Sequence, residues 1–320
     1  MKRILVAGGA GFIGSHLCEA LLNQGHKVVC LDNFATGHKY HYVHLLKNKN
    51  FRFIKHDVTK PFHIGGKIDQ IYHLASRASP VDYQKFPTET ALSNSLGTYN
   101  LVKLSLKKKA TLLFTSTSEA YGVPIEHPQK ETYWGNVNPV GVRSCYDESK
   151  RFGEALLMAY HRQMNADVKI VRIFNTYGPR LRPGDGRVIS NFIRQALTNQ
   201  PLTIYGDGKQ TRSFCYVSDM VSGLMKMMNS SYVGPKNLGN PKEFTILQLA
   251  KTIIRLTNSK SKLVFEKLPL DDPTKRQPDI SKARTMLGWK PQIELEEGLK
   301  KTIEWFSVLP SIKNNSHYSS

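Results

Sequence analysis

Near the amino end runs Lys2-Arg3-Ile4-Leu5-Val6-Ala7-Gly8-Gly9-Ala10-Gly11-Phe12-Ile13-Gly14, an apolar segment that turns abruptly into glycines. Lys2 to Ala7 reads as a strand buried on both faces. Glycines at 8, 11 and 14 give a GxxGxxG spacing, and a helical pattern follows from Ser15 to Gln24. Glycine lets the backbone approach a pyrophosphate, which then rests on the helix N-terminus. A second strand, Lys27 to Leu31, ends in Asp32, near the point about 20 residues on where a carboxylate binds a ribose diol. That carboxylate repels a 2′-phosphate, so the expected cofactor is NAD rather than NADP. Strand, glycine turn, helix, strand and acid in this order predict a Rossmann-type doubly wound parallel α/β sheet.

The alternation continues outward. Phe51 to Lys55 is an expected strand ending at His56-Asp57-Val58, with Asp57 either an adenine contact or a turn cap. Ile68 to His73 is the next, ending in Leu74-Ala75-Ser76, and Thr111 to Phe114 runs into Thr115-Ser116-Thr117-Ser118-Glu119. Polar groups at the carboxyl ends of such strands sit where open α/β sheets bind ligands. Helices are expected over 88–107 and 146–163. Tyr146 and Lys150 stand at i and i+4, on one helix face. Alone, that pair is also what any amphipathic helix can carry. Behind a Rossmann motif it reads as a phenol with a cation beside it, which favours phenolate and equips the group to take a proton from a hydroxyl. Residues 1–178 are expected to form the cofactor domain, with 213–230 returning to it, and 179–320 mainly a smaller α/β substrate domain. A loop is expected to open at Asp271-Asp272-Pro273, and the tail from Asn314 reads as frayed.

Composition narrows the classes. The chain of 320 residues is 40% hydrophobic, with no apolar run long enough to span a bilayer. Ile4-Leu5-Val6 is too short an apolar run for a signal peptide. Cys18, Cys30, Cys145 and Cys215 are scattered without CxxC spacing, which predicts reduced thiols, a cytoplasmic setting and no metal site. The net charge of +20 raises nucleic-acid binding. The lysines are dispersed, however, and Lys107-Lys108-Lys109 closes a helix where cations suit the dipole. No nucleic-acid or membrane partner is expected; a basic surface also suits a diphosphate.

Taken together, GGAGFIG, Asp32, His56-Asp57-Val58, the Tyr146/Lys150 pair and Asn175-Thr176-Tyr177-Gly178-Pro179-Arg180 resemble the extended short-chain dehydrogenase/reductase family, which acts on nucleotide sugars. Within it, Tyr133-Trp134-Gly135, Arg143-Ser144-Cys145-Tyr146-Asp147-Glu148, Asp185-Gly186-Arg187 and Lys275-Arg276-Gln277-Pro278-Asp279 are similar to the branch that decarboxylates UDP-glucuronate. The resemblance implies a redox-neutral NAD cycle through a 4-keto sugar, with Thr117, Glu119, Tyr146, Lys150 and Arg276 as catalytic residues. The alternative for Glu119 is an exposed turn carboxylate, and for Arg276 a surface arginine. It implies cofactor contacts from Phe12, Ile13, Asn33, Val58, Leu74, Ala75 and Thr176 beside the glycines, Asp32, Asp57 and the Tyr/Lys pair. Substrate contacts are expected from Asn175, Arg187, Tyr205, Arg212 and Arg276, since the arginine fork suits phosphate. The helices at 88–107 and 146–163 resemble a four-helix homodimer interface, although their apolar stripes could equally be core.

Rival activities on this framework are a UDP-sugar 4-epimerase and a 4,6-dehydratase; a non-catalytic nucleotide-sugar binder is the rival from another class. A dehydratase needs an acid beside the glutamate, where this chain has Ser118, and an epimerase usually lacks the glutamate. One departure stands out. The family branch usually has a lysine where Leu92 precedes Ser93-Asn94, and proline where this chain has Arg77. Arg77 is therefore expected to replace that lysine against the substrate carboxylate.

Overall fold

The computed structural model describes residues 1–267 and 275–313; the expected loop start at Asp271-Asp272-Pro273 and the tail from Asn314 lie outside them. Seven parallel strands form the central sheet: β1 (Arg3–Ala7), β2 (Lys27–Asp32), β3 (Phe51–Lys55), β4 (Gln70–His73), β5 (Thr111–Thr117), β6 (Val168–Ile173) and β7 (Pro235–Leu238). Their spatial order is β7-β6-β5-β4-β1-β2-β3. Successive β1 residues point to opposite faces, so Ile4 and Val6 enter one core layer while Leu5 and Ala7 enter the other. Both faces are covered, which is why β1 and β5 read as unbroken apolar runs.

Helix α1 (Phe12–Asn23) follows β1, α2 (Pro87–Lys108) precedes β5, and α3 (Ser144–Met164) precedes β6. α2 packs along α3, and Leu101, Val102 and Leu157 seal the second core layer against Phe114 and Leu112. Lys109, left-handed at φ 53°, ends α2 after a last turn carrying Lys107 and Lys108. Strand order reverses between β1 and β4, so the crevice at their carboxyl ends is the switch point where open sheets bind ligands.

Beyond Tyr177 the chain builds a smaller layer. The strand Leu202–Tyr205 pairs in parallel with Leu263–Glu266, and Thr211–Ser213 pairs antiparallel with Glu243–Thr245. Helix Ile246–Thr257 starts on a capping box between Thr245 and Gln248. Between these pieces the chain returns: Cys215–Tyr216 pairs with Thr176–Tyr177, α4 (Val217–Met228) packs on α1, and β7 adds to β6. β7 lies past the segment expected to return. Its sequence, Pro-Lys-Asn-Leu, hides it because a buried polar residue breaks the apolar pattern. Asn237 is fully buried, accepting from the Tyr121 hydroxyl at 2.8 Å and donating to the carbonyls of Gln129 (2.9 Å) and Asp279 (3.0 Å).

Candidate active site

The glycine loop is built for close approach. Gly8 has φ +83°, and a Cβ there would stand 2.6 Å from the amide nitrogen of Ala75 at the end of β4. A Cβ on Gly14 would collide with the Gly8 carbonyl. Asp32 is 8% exposed at the end of β2; its carboxylate accepts from the Ala10 amide at 3.0 Å and the Phe34 amide at 2.8 Å. Burial pushes the Asp32 carboxyl up, against the pull of those amides. The crevice above is a cleft of about 800 Å³ lined by Gly8, Phe12, Ile13, Asp32, Asn33, Val58, Leu74 and Ala75 on the β1–β4 side. The cradle without side chains, the α1 N-terminus and the β2 carboxylate together fit NAD. Asp57 is occupied locally: Asn33 donates to it at 2.9 Å, and the Thr59 amide and hydroxyl each donate at 2.8 Å. It braces the loop, while Val58 and His56 form the wall itself.

The cleft continues past Thr117 and Glu119 to Tyr146 and Lys150. Both come from the start of α3, and both are buried, at 6% and 2% exposure. Tyr83 stacks on Tyr146 with ring centroids 5.1 Å apart and planes 7° from parallel. Lys150 Nζ donates to the Thr115 carbonyl at 2.7 Å and stands 5.8 Å from the Tyr146 ring centroid. Burial pushes the Tyr146 phenol up despite a hydrogen bond with the Thr117 hydroxyl. Burial likewise pulls Lys150 down to about 7, with Glu154 opposing. Glu154 ties α3 to the sheet: Arg172 of β6 donates to it at 2.9 and 2.7 Å and Ser116 of β5 at 2.5 Å.

Arg276 is not a surface arginine. At 2% exposure it is among the largest fully buried side chains. Nη1 pairs with Glu119 Oε1 at 2.7 Å and donates to Ser118 Oγ at 3.2 Å; Nη2 donates to the Gly122 carbonyl at 2.8 Å. Its Nε is buried with no hydrogen-bond partner among the described residues. Glu119 is held from its other side by Arg143 Nη2. Burial alone would raise the Glu119 carboxyl; the guanidinium groups of Arg276, Arg143 and Arg212 outweigh it and hold the pKa low. Glu119 is thus a fully paired carboxylate rather than an exposed turn residue.

The remaining expected residues Arg77, Asn175, Thr176, Arg187, Tyr205 and Arg212 all reach the same cleft wall. Arg187 is turned onto Asp185, with Nε 2.7 Å from its carboxylate. Leu92 is different. Ser93 and Asn94 are the buried faces of that helical turn, so Leu92 points outward at 43% exposure and is absent from the cleft. Leu92 itself therefore does not line the pocket, although the adjacent Ser93 does. Arg77 does line the cleft, with its guanidinium 5.0 Å over the Phe86 ring and a buried Nε without a hydrogen-bond partner among the described residues. The reading from sequence did not assign Arg143 or Tyr83 a role. An arginine just before the first turn of α3, where the dipole disfavours cations, was the one available signal for Arg143. Nothing in sequence marks Tyr83.

Fold and site together define a nucleotide-cofactor enzyme with a buried Tyr–Lys pair and a carboxylate–guanidinium couple facing it. Residues 4–239 match the NAD dependent epimerase/dehydratase family, and the chain belongs to it. It is 54% identical over 304 residues to UDP-glucuronic acid decarboxylase 4 of Arabidopsis thaliana, covering 95% of this chain and 68% of that protein. It is 51% identical over 317 residues to UDP-glucuronic acid decarboxylase 1 of Danio rerio, covering 99% and 75%. Among solved structures it resembles UDP-glucuronic acid 4-epimerase from Bacillus cereus in complex with UDP-glucuronic acid and NAD, at TM-score 0.85 and 30% identity over 95% of this chain and 98% of that one.

Proposed function

We propose that this protein is an NAD-dependent UDP-glucuronate decarboxylase that releases CO₂ and UDP-xylose. Identity near one half to decarboxylases over almost the whole chain supports the activity. The observation that carries the reading to this site is the buried Arg276–Glu119 couple, with Ser118 rather than an acid beside it. An eliminating enzyme needs a proton donor at that position.

Gly8 and Asp32 would hold NAD, which would supply reversible hydride transfer at the sugar C4. Tyr146 takes the C4 hydroxyl proton, assisted by the Thr117 hydroxyl beside it. The 4-keto sugar is a β-keto acid: the electrons of the bond from C5 to the carboxylate carbon move to C5, CO₂ leaves, and the charge rests on the C4 oxygen. Tyr146, protonated by then, donates to that oxygen. Glu119 and Arg276 lie on the sugar wall, where Arg276 assists proton return to C5. Arg212, Tyr205 and Asn175 hold the uridine diphosphate. Arg77 pairs with the sugar carboxylate; its unpartnered Nε leaves it a donor to give. Arg77→Ala then raises KM for UDP-glucuronate by about 10-fold or more, since a charge-assisted hydrogen bond contributes about 1.5–3 kcal/mol.

Leu92, Leu96, Tyr99 and Phe152 remain exposed on the α2/α3 pair, which supports pairing of two copies through four helices. Light scattering reads that directly. No helix among the described residues is long and apolar enough to cross a membrane. The free cysteines suit the reducing cytoplasm. The deciding experiment is incubation with UDP-glucuronate, following CO₂ and a UDP-pentose. Turnover of UDP-glucose or UDP-N-acetylglucosamine without turnover of UDP-glucuronate would defeat the assignment.

A further inference from the structure

Residues Gly178–Arg187 cross the mouth of the cleft as a strap between its two walls. One wall is α1, whose N-terminus faces the pyrophosphate position. There His16 Nε2 donates to the Pro179 carbonyl at 2.9 Å, and Arg180 Nη2 pairs with Glu19 at 2.5 Å. The opposite wall is the segment after β4. There Arg182 Nη2 pairs with Asp82 Oδ2 at 2.6 Å, and the Ser79 hydroxyl donates to the Asp185 carbonyl. Gly186, at φ +81°, presses against Val81 so closely that a Cβ would stand 2.5 Å from Val81 Cγ2. The strap thus joins both sides of the β1/β4 crevice, and Arg180, Arg182 and Asp185 form part of the cleft lining.

We propose that this strap retains the dinucleotide between reaction cycles, with the Arg182–Asp82 ion pair as its releasable fastening. The inference rests on the reading of this crevice as the NAD site. A redox-neutral cycle returns its cofactor unchanged, so a closed strap costs the enzyme no turnover. Release of an extended dinucleotide requires one wall contact to open. The Asp185 carboxylate is tied within its own segment, to Arg187 and to Ser190 at 2.5 Å, and stays with the strap. The Arg182–Asp82 pair is partly solvated, at 35% and 15% side-chain exposure, as is Arg180–Glu19 at 16% and 37%, so water and salt can replace either.

The test loads the protein with NADH, chases with excess NAD, and follows loss of bound NADH fluorescence. Wild type is compared with Asp82→Asn, Arg182→Gln and the exchanged pair Asp82→Arg/Arg182→Asp. Each single substitution speeds release about three- to tenfold, the range that a partly exposed ion pair supports. The exchanged pair returns within about twofold of wild type, since the attraction is restored with its ends reversed. Raising salt speeds release from wild type more than from either single variant. Release at the wild-type rate from both single variants, with the same salt response, overturns the strap while leaving the NAD site standing. Failure of wild type to hold NADH at all overturns both. If one variant does not fold by circular dichroism, the other variant and the wild-type salt response decide.

Discussion

Replacing Arg276 by methionine is the sharpest perturbation of this site. The substitution leaves an apolar side chain of comparable length and deletes a guanidinium that makes three interactions: with Glu119 at 2.7 Å, Ser118 at 3.2 Å and the Gly122 carbonyl at 2.8 Å. Breaking a buried pair from one side costs about 3–5 kcal/mol, because the remaining charge stays buried. Glu119 keeps Arg143, so the low end applies, and the expected loss is about 3 kcal/mol. Glu119→Gln alone strands Arg276 similarly. The double variant Arg276→Met/Glu119→Gln strands neither charge, so it loses less than the two single losses added together. A coupling of at least about 1 kcal/mol is expected for groups in direct contact.

Urea unfolding of wild type, both single variants and the double variant, at one NAD concentration, gives the four midpoints and slopes. Arg276→Lys adds a control. It keeps the charge but not the planar fork, so stability largely returns while turnover does not. Additive losses in the double variant, or wild-type turnover in Arg276→Met, would refute the view that this couple is a buried, catalytically placed unit.

Three further outcomes follow from the same geometry. Tyr146→Phe keeps the stack on Tyr83 and NAD binding while turnover falls about 10²–10⁴-fold; full activity would place the base elsewhere. Asp32→Ala weakens NAD binding and narrows its margin over NADP, read by titrating both cofactors, and equal affinities in wild type would defeat the role given to Asp32. Lys150→Met changes how stability varies with pH. Burial holds the Lys150 pKa at about 7 against 10.5 when free. Between those values the unfolded chain binds more protons, so this group's contribution to stability rises with pH and is lost as pH falls towards 7. In NAD-free protein the margin of wild type over Lys150→Met grows from about pH 7.5 to about pH 9, by at most about 1.4 kcal/mol per unit; a constant margin would contradict the burial of a neutral-leaning lysine.

How much of this was legible in the sequence depended on where each constraint lies. β1, β2 and β5 announced themselves because both faces are buried, and the glycine spacing located the cradle because Gly8 and Gly14 leave no room for a Cβ. β7 was illegible because its polar residues satisfy loops distant in the chain, as Asn237 does with Gln129 and Asp279. Arg276 was placed at the site only through a resemblance. Its burial is decided by Ser118, Glu119 and Gly122, far away in sequence. The orientation of Leu92 was not legible in the sequence: a residue beside Ser93-Asn94 is about 100° away on a helix, and that rotation leaves it outside the cleft.

Two opposing influences act on the Tyr146 phenol, and the same two order the whole site. Sequence spacing put a cation next to a phenol and suggested a ready phenolate. Burial acts on both partners, however, and it disfavours every charge that lacks a close counter-charge. Glu119 escapes because Arg276 and Arg143 flank it, so it stays ionised although only 18% of its side chain is exposed. Tyr146 and Lys150 have no such partner within contact, and both are driven toward neutrality. His73, fully buried behind them, is likewise pulled down, to about 3, by burial and then by Lys150. Burial therefore pulls both members of the Tyr146/Lys150 pair toward neutrality, while the Glu119–Arg276 pair stays ionised.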